Sequence, residues 1–227
     1  MAEPLPQPGF PAGVPRPALG FSIDVPDHWV VVDLDPATWE GWLDAFLDQR
    51  LAARPQAVRE RGPARAALVD LLRRLHHEQV FLAAVLAAEA GGHLVSASAT
   101  LAWRRPDLGG DLLLLEGLAH LSLLAPAGPG QDLAARRVDI VELPAGGSVK
   151  VATKEVVALP GGGEARPASV TQYLVPVHRT GWLAVITTTT GNPELAEAVE
   201  EVADTMAASL VFQEPVPSDD ATGPGQS

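Results

Sequence analysis

An α+β fold, an αβα sandwich with a central antiparallel sheet flanked by helices, is predicted for this chain of 227 residues by three observations. The middle of the chain alternates apolar and polar residues in runs joined by glycine turns. Residues on either side of it are apolar at helical spacing, and no repeat of about 20–50 residues points to a solenoid or propeller. Consecutive hairpins make an antiparallel sheet, and helices with a single apolar face must cover it.

Phe21, Ile23 and Val25 alternate with Ser22 and Asp24 as in a half-buried strand, which Pro26 and Asp27 interrupt. A second short strand follows at 29–32. Asp35 and Pro36 supply an N-cap and a first helical residue, and Trp39, Trp42, Leu43, Phe46, Leu47 and Leu51 then recur on one helix face that Pro55 ends. After Gly62 and Pro63 a second helix is marked by Leu68, Leu71, Leu72 and Leu75. Residues 80–88 suit a helix by their alanines and a strand by Val80, Phe81 and Val85; the Gly91-Gly92 pair decides for a hairpin whose second strand runs to Trp103. Residues 111–124 are apolar almost all round, which predicts a buried helix, with a strand over the second half as the alternative. A hairpin follows from 138–143 and 149–158 about Gly146-Gly147, and another from 170–178 and 182–189 about Thr180-Gly181. Asn192 and Pro193 cap a last helix that buries Leu195, Val199, Val202, Met206 and Leu210.

Proline and glycine crowd residues 1–20, which read as a disordered arm, and 213–227 read as a disordered acidic tail, leaving a single domain over 21–212. The start has neither a basic region nor an unbroken apolar one, so a cytoplasmic protein is expected. No apolar run approaches a membrane span, and no membrane insertion is expected. Sixteen basic against 28 acidic residues give a formal charge of −12, which repels nucleic acid and anionic lipid and leaves a protein partner as the easier expectation. With no cysteine, disulfides, thiolate metal sites and cysteine nucleophiles are excluded.

The polar clusters point away from catalysis. His76 and His77 are adjacent, so they project about 100° apart on a helix and cannot share a metal; with Glu78 they read as a solvated helix end beside the C-terminal dipole. His28, His93, His120 and His178 are scattered singly. Gly161-Gly162-Gly163 lacks the helix and lysine of a phosphate loop and reads as a connection between hairpins. Thr187, Thr188, Thr189 and Thr190 fit a strand edge, and no GxSxG element is present. Trp39-Glu40-Gly41 matches a WxG turn only superficially, because it falls within one helix. No catalytic, cofactor-binding or metal-binding residue is assigned, and no cofactor is expected.

The phrase FSIDVPDHWVVVD over 21–33, with its VP-x-x-W element, and the final strand, Gly-Asn-Pro break and closing helix ending in Leu210-Val211-Phe212, resemble the Mog1/PsbP-like superfamily, including the actinobacterial LpqN-type proteins. The resemblance covers about residues 20–213 and carries no catalytic residue. It implies the αβα sandwich and a role in binding or assembly. The absence of a lipid-anchoring cysteine departs from LpqN-type lipoproteins. The expected function is therefore a non-catalytic protein-interaction module, an accessory, assembly or chaperone-like part of a larger bacterial complex. The alternative is a small-ligand carrier or enzyme with an aromatic-lined pocket, drawing on Trp39, Trp42, Trp103, Trp182 and Tyr173. Homo-oligomerisation by edge-strand pairing is a third reading.

Overall fold

The structure is a computed structural model that describes residues 17, 19–51, 61–90, 93–105, 115–125, 135–157, 166–178 and 180–213. Of the predicted arm, residues 1–16 and 18 lie outside these residues, as do the acidic tail beyond 213 and the Gly161-Gly162-Gly163 connection; Gly20 and Gln213, expected in the arm and the tail, instead pair as strand residues, and Leu19 packs against the core. In chain order the elements are β1 (Gly20–Ser22), β2 (Val30–Val31), α1 (Trp39–Leu51), α2 (Arg61–His77), β3 (Val80–Ala90), β4 (His93–Arg104), α3 (Leu115–Leu124), β5 (Arg137–Leu143), β6 (Gly146–Val157), β7 (Arg166–Val177), β8 (Trp182–Thr190), α4 (Ala196–Ser209) and β9 (Val211–Gln213).

Seven strands form one sheet in the order β2-β3-β4-β8-β7-β6-β5, with every neighbouring pair antiparallel. Three of the pairs are the predicted hairpins. The β5–β6 hairpin turns through Pro144 and Ala145, and Gly146 follows at φ +114°, a conformation that glycine adopts without a Cβ clash.

Because side chains alternate across a strand, the register assigns each residue a face. One face carries Ala84, Ala99, Leu101, Trp103, Tyr173, Val175, Ala184 and Ile186, and α4 packs on it through Val199, Ala203, Met206 and Ala207. The other carries Ala83 and Ala102 under α1 and α2 at one end, and Val149, Val151 and Leu183 under α3 at the other. Helices therefore cover both faces of an antiparallel sheet, which is the αβα arrangement.

Several local expectations change. The first strand stops at Ser22 instead of Val25, because the Asp24 N–H donates to Ser209 Oγ at 2.9 Å and leaves the ladder; Ile23 and Val25 still pack into the core. Its partner is β9, so Leu210-Val211-Phe212 does not end the closing helix. Leu210 turns extended at ψ 121°, and Phe212 and Phe21 then reach Trp103, with ring centroids 6.1 and 5.6 Å away. α2 begins at Arg61, ahead of Pro63, which the first turn of a helix tolerates because its N–H is not needed there. Asn192 and Pro193 open a 3-10 turn, Pro193–Leu195, that leads into α4, but the Asn192 side chain does not cap it: its Oδ1 accepts the Ser96 N–H at 2.9 Å, tying β4 to the end of β8. The four threonines lie in β8, which sits between β4 and β7 and is no edge. α3 is a helix but not a buried one, since Leu118 is buried while Leu123 and Leu124 are 55% and 66% exposed.

Candidate functional site

The α1–α2 layer does not lie flat on the sheet. Asp35 opens the turn before α1, its Oδ1 accepting the Ala37 N–H at 2.9 Å, while the helix itself begins at Trp39 instead of the expected Pro36; it aims Trp42 and Phe46 at the strands. Trp42 stacks on Phe46 with centroids 5.1 Å apart. Ion pairs fasten the two helices together on their outer side: Arg65 Nε meets Asp44 Oδ1 at 3.0 Å, and Arg61 meets Asp48 at 2.9 Å. The hydrogen bond from Arg65 holds the Asp44 carboxyl below its ordinary range.

Between these helices and the sheet lies a cleft of about 640 Å³. Its walls are Trp42, Phe46, Leu68, Leu71, Leu72 and Leu75. Its floor is made of short side chains: Ala83, Val85 and Ala87 on β3, Ser96, Ser98 and Thr100 on β4, Ala168 on β7 and Thr189 on β8. The small floor makes the cleft, because bulky strand residues here would close the gap by ordinary packing. From the Ala83–Thr100 pair to the Ala87–Ser96 pair the floor runs four residues, about 13 Å at ~3.3 Å per residue. Val32 and Leu72 line the inner end, and Arg166, Gly191 and Asn192 the other.

Polar groups on this surface are few and unspent. The Trp42 indole Nε1–H is buried without an acceptor, and the hydroxyls of Ser98, Thr100 and Thr189 have no side-chain hydrogen bond among the described residues. An apolar cavity with a small number of convergent polar groups is the usual make-up of a small-molecule site.

Of the five aromatic residues the sequence offers for a pocket, only Trp42 enters the cleft. Trp103 and Tyr173 are buried on the opposite face of the sheet, and Trp182 packs with them. Trp39 is half-buried with its ring edge-on to His76 at 6.2 Å. His76 is thus partly withdrawn from solvent while His77 and Glu78 are exposed, and Gln79 at φ 56° ends the helix. Among the described residues no group of three or more His, Asp or Glu is placed to hold a metal ion. Sequence reasoning missed the floor, although the run Ser96-Ala97-Ser98-Ala99-Thr100, small side chains throughout in a strand interior, marks it.

The α4 face carries a second polar cluster, also missed. Lys150 Nζ and the Tyr173 hydroxyl both donate to Asp204 Oδ1, each at 2.6 Å, and Lys150 also meets Glu200 at 2.9 Å, which Arg137 holds at 2.7 Å. Burial, then the bond to Asp204, pushes the Tyr173 hydroxyl well above its ordinary pKa. Burial pulls Lys150 down, but its bonds to Asp204 and Glu200 outweigh that and leave it raised. Both shifts lead away from a nucleophile or general base at neutral pH, and the cluster acts as a clamp holding α4 to β6 and β7.

No family model matches the chain, and no curated protein matches it. Among solved structures it is similar to LpqN, involved in cell envelope biogenesis of Mycobacterium tuberculosis, at 10% identity and a TM-score of 0.43 over 86% of this chain and 84% of that one. It is also similar to PA94, a Pseudomonas aeruginosa protein of unknown function, at 14% identity and a TM-score of 0.37 over 60% of this chain and 84% of that one.

Proposed function

We propose that this protein is a non-catalytic binding protein that holds an apolar small molecule in the cleft between α1–α2 and the sheet. The observation that carries this reading is the cleft itself: about 640 Å³, walled by aromatic and aliphatic side chains over a hydroxyl-bearing floor. Ligand sites occupy about 300–1,000 Å³ and are lined in this way. Tyr173 and Lys150, on the opposite face of the sheet, are engaged with Asp204 and Glu200 and take no part in the cleft. Titration with the uncharged fluorophore phenylnaphthylamine tests it. Saturable one-to-one enhancement that Ser98→Leu abolishes is expected; no saturation, or binding that the substitution leaves intact, overturns it.

One observation favours a second reading, the interaction module. Leu121, Leu123 and Leu124 of α3 are exposed beside β5, the end strand of the sheet, whose Ile140 is also exposed. An edge unpaired among the described residues and next to apolar side chains is a template for strand addition, and a second copy of this chain is the simplest partner. Light scattering across a concentration series reads it: a dimer that Ile140→Lys dissociates supports it, and a monomer at every concentration counts against it. In both readings the protein works in the cytoplasm, which cell fractionation would check.

A further inference from the structure

The two ends of the cleft differ in chemistry. The inner end is apolar, with Val32, Leu72 and Ala83 around the buried Trp42 ring. Among the described side chains, the charged groups near the open end are Arg50, Arg166, Glu155 and Glu194, and three of these are already engaged. Arg50 donates to the Ala87 carbonyl at 2.8 Å and lies over the Phe46 ring. Glu155, one pair along from Arg166 on the same sheet face, accepts from the Thr153 hydroxyl at 2.9 Å. Glu194 accepts from the Asn192 amide at 3.4 Å. The Arg166 guanidinium has no hydrogen bond or ion pair among the described residues, and the residue lines the cleft.

The Arg166 guanidinium therefore stands unspent, among the described residues, at the mouth of an apolar cleft. Arginine presents a planar fork of donors that matches a carboxylate. From the inner floor pair to the outer one is about 13 Å along β3 and β4 at ~3.3 Å per strand residue, room for an extended chain, and the floor crosses β8 to β7, where Arg166 lines the cleft. Resting on the cleft-binding reading above, we propose that the ligand is a single-chain aliphatic carboxylate, its tail between α1–α2 and the floor and its carboxylate on Arg166. The tail gains by leaving water against the leucines and Trp42. The head stays at the solvent-exposed mouth, where its charge need not be buried.

The test compares decanoate, decanol and decyltrimethylammonium below their micelle concentrations, by calorimetric titration of the wild type, Arg166→Gln and Ser98→Leu, with circular dichroism melts checking that each variant folds. The expected order in the wild type is decanoate over decanol by about fivefold, the ratio an exposed ion pair sets, with decyltrimethylammonium weakest. Arg166→Gln should bring decanoate and decanol together, and Ser98→Leu should remove all binding. Equal binding of decanoate and decanol to the wild type, or a preference that survives Arg166→Gln, would overturn the head-group assignment while leaving the cleft as the site. Binding of none of the three, or binding indifferent to Ser98→Leu, would overturn the assignment together with the cleft reading beneath it.

Discussion

Filling a binding cleft should stabilise the empty protein, because a cleft kept for a ligand leaves apolar walls without partners. Ser98 lies mid-floor on β4, half-buried, facing the gap under α1 and α2. Its hydroxyl makes no side-chain hydrogen bond among the described residues, so replacing it forfeits none. Fully burying a leucine side chain stabilises by about 1.5–3 kcal/mol. At a half-buried position roughly half of that is realised, so Ser98→Leu should add about 1 kcal/mol and raise Tm by about 2–4 °C for a domain of this size. Urea unfolding followed by circular dichroism, backed by a thermal melt, measures it. A loss of about 1 kcal/mol or more, the mark of overpacking, would show that the floor already meets the helices and would refute the cleft.

The clamp on the other face gives further outcomes. Asp204→Ala removes the acceptor shared by Tyr173 and Lys150 and should cost about 1–2 kcal/mol, discounted for the half-exposed carboxylate, whereas Tyr173→Phe should cost about 1 kcal/mol; equilibrium unfolding reads both. Tyr173 and Lys150 both titrate higher in the folded protein than in the unfolded chain, so their contribution is intact below the ordinary tyrosine value of 10.0 and falls as the pH rises beyond it. Unfolding measured from pH 8 upward should therefore show a steep loss above about pH 10 that Tyr173→Phe makes shallower; identical profiles would contradict the clamp. Leu123→Ser together with Leu124→Ser should leave stability within about 0.5 kcal/mol, because both side chains are exposed; a larger loss would mean that they are packed.

What the sequence made legible was mostly local. The three hairpins follow from alternation and turns within short stretches, and the turn that leads into α1 follows from Asp35 and Pro36, so each element could be read without knowing its neighbours. Most of the misreadings concern distant partners. β1 ends where Ser209, far along the chain, takes the Asp24 amide, and Leu210 leaves the helix so that Phe212 can reach Trp103. α3 looks buried because its residues are apolar, yet burial depends on how much sheet lies beneath it, and Val149, Val151 and Leu183 accommodate only one side of the helix. The aromatic pocket failed for a related reason: composition shows how many large rings there are, whereas strand register sends Trp103 and Tyr173 to the face away from Trp42. The cleft is written in small residues, Ala83, Ala87, Ser98 and Thr100, and an absence of bulk becomes informative only once helices lie across it.

The central claim, that an apolar molecule occupies the cleft, is tested most directly by the indole region of a nitrogen–proton correlation spectrum, where the five tryptophans give separate reporters. Trp42 alone has its ring in the cleft, with its N–H buried and without an acceptor. On titration with phenylnaphthylamine the Trp42 signal should shift and saturate while those of Trp29, Trp103 and Trp182 stay, and the shift should vanish in Ser98→Leu. A Trp42 signal that stays fixed while the fluorophore binds would contradict the account.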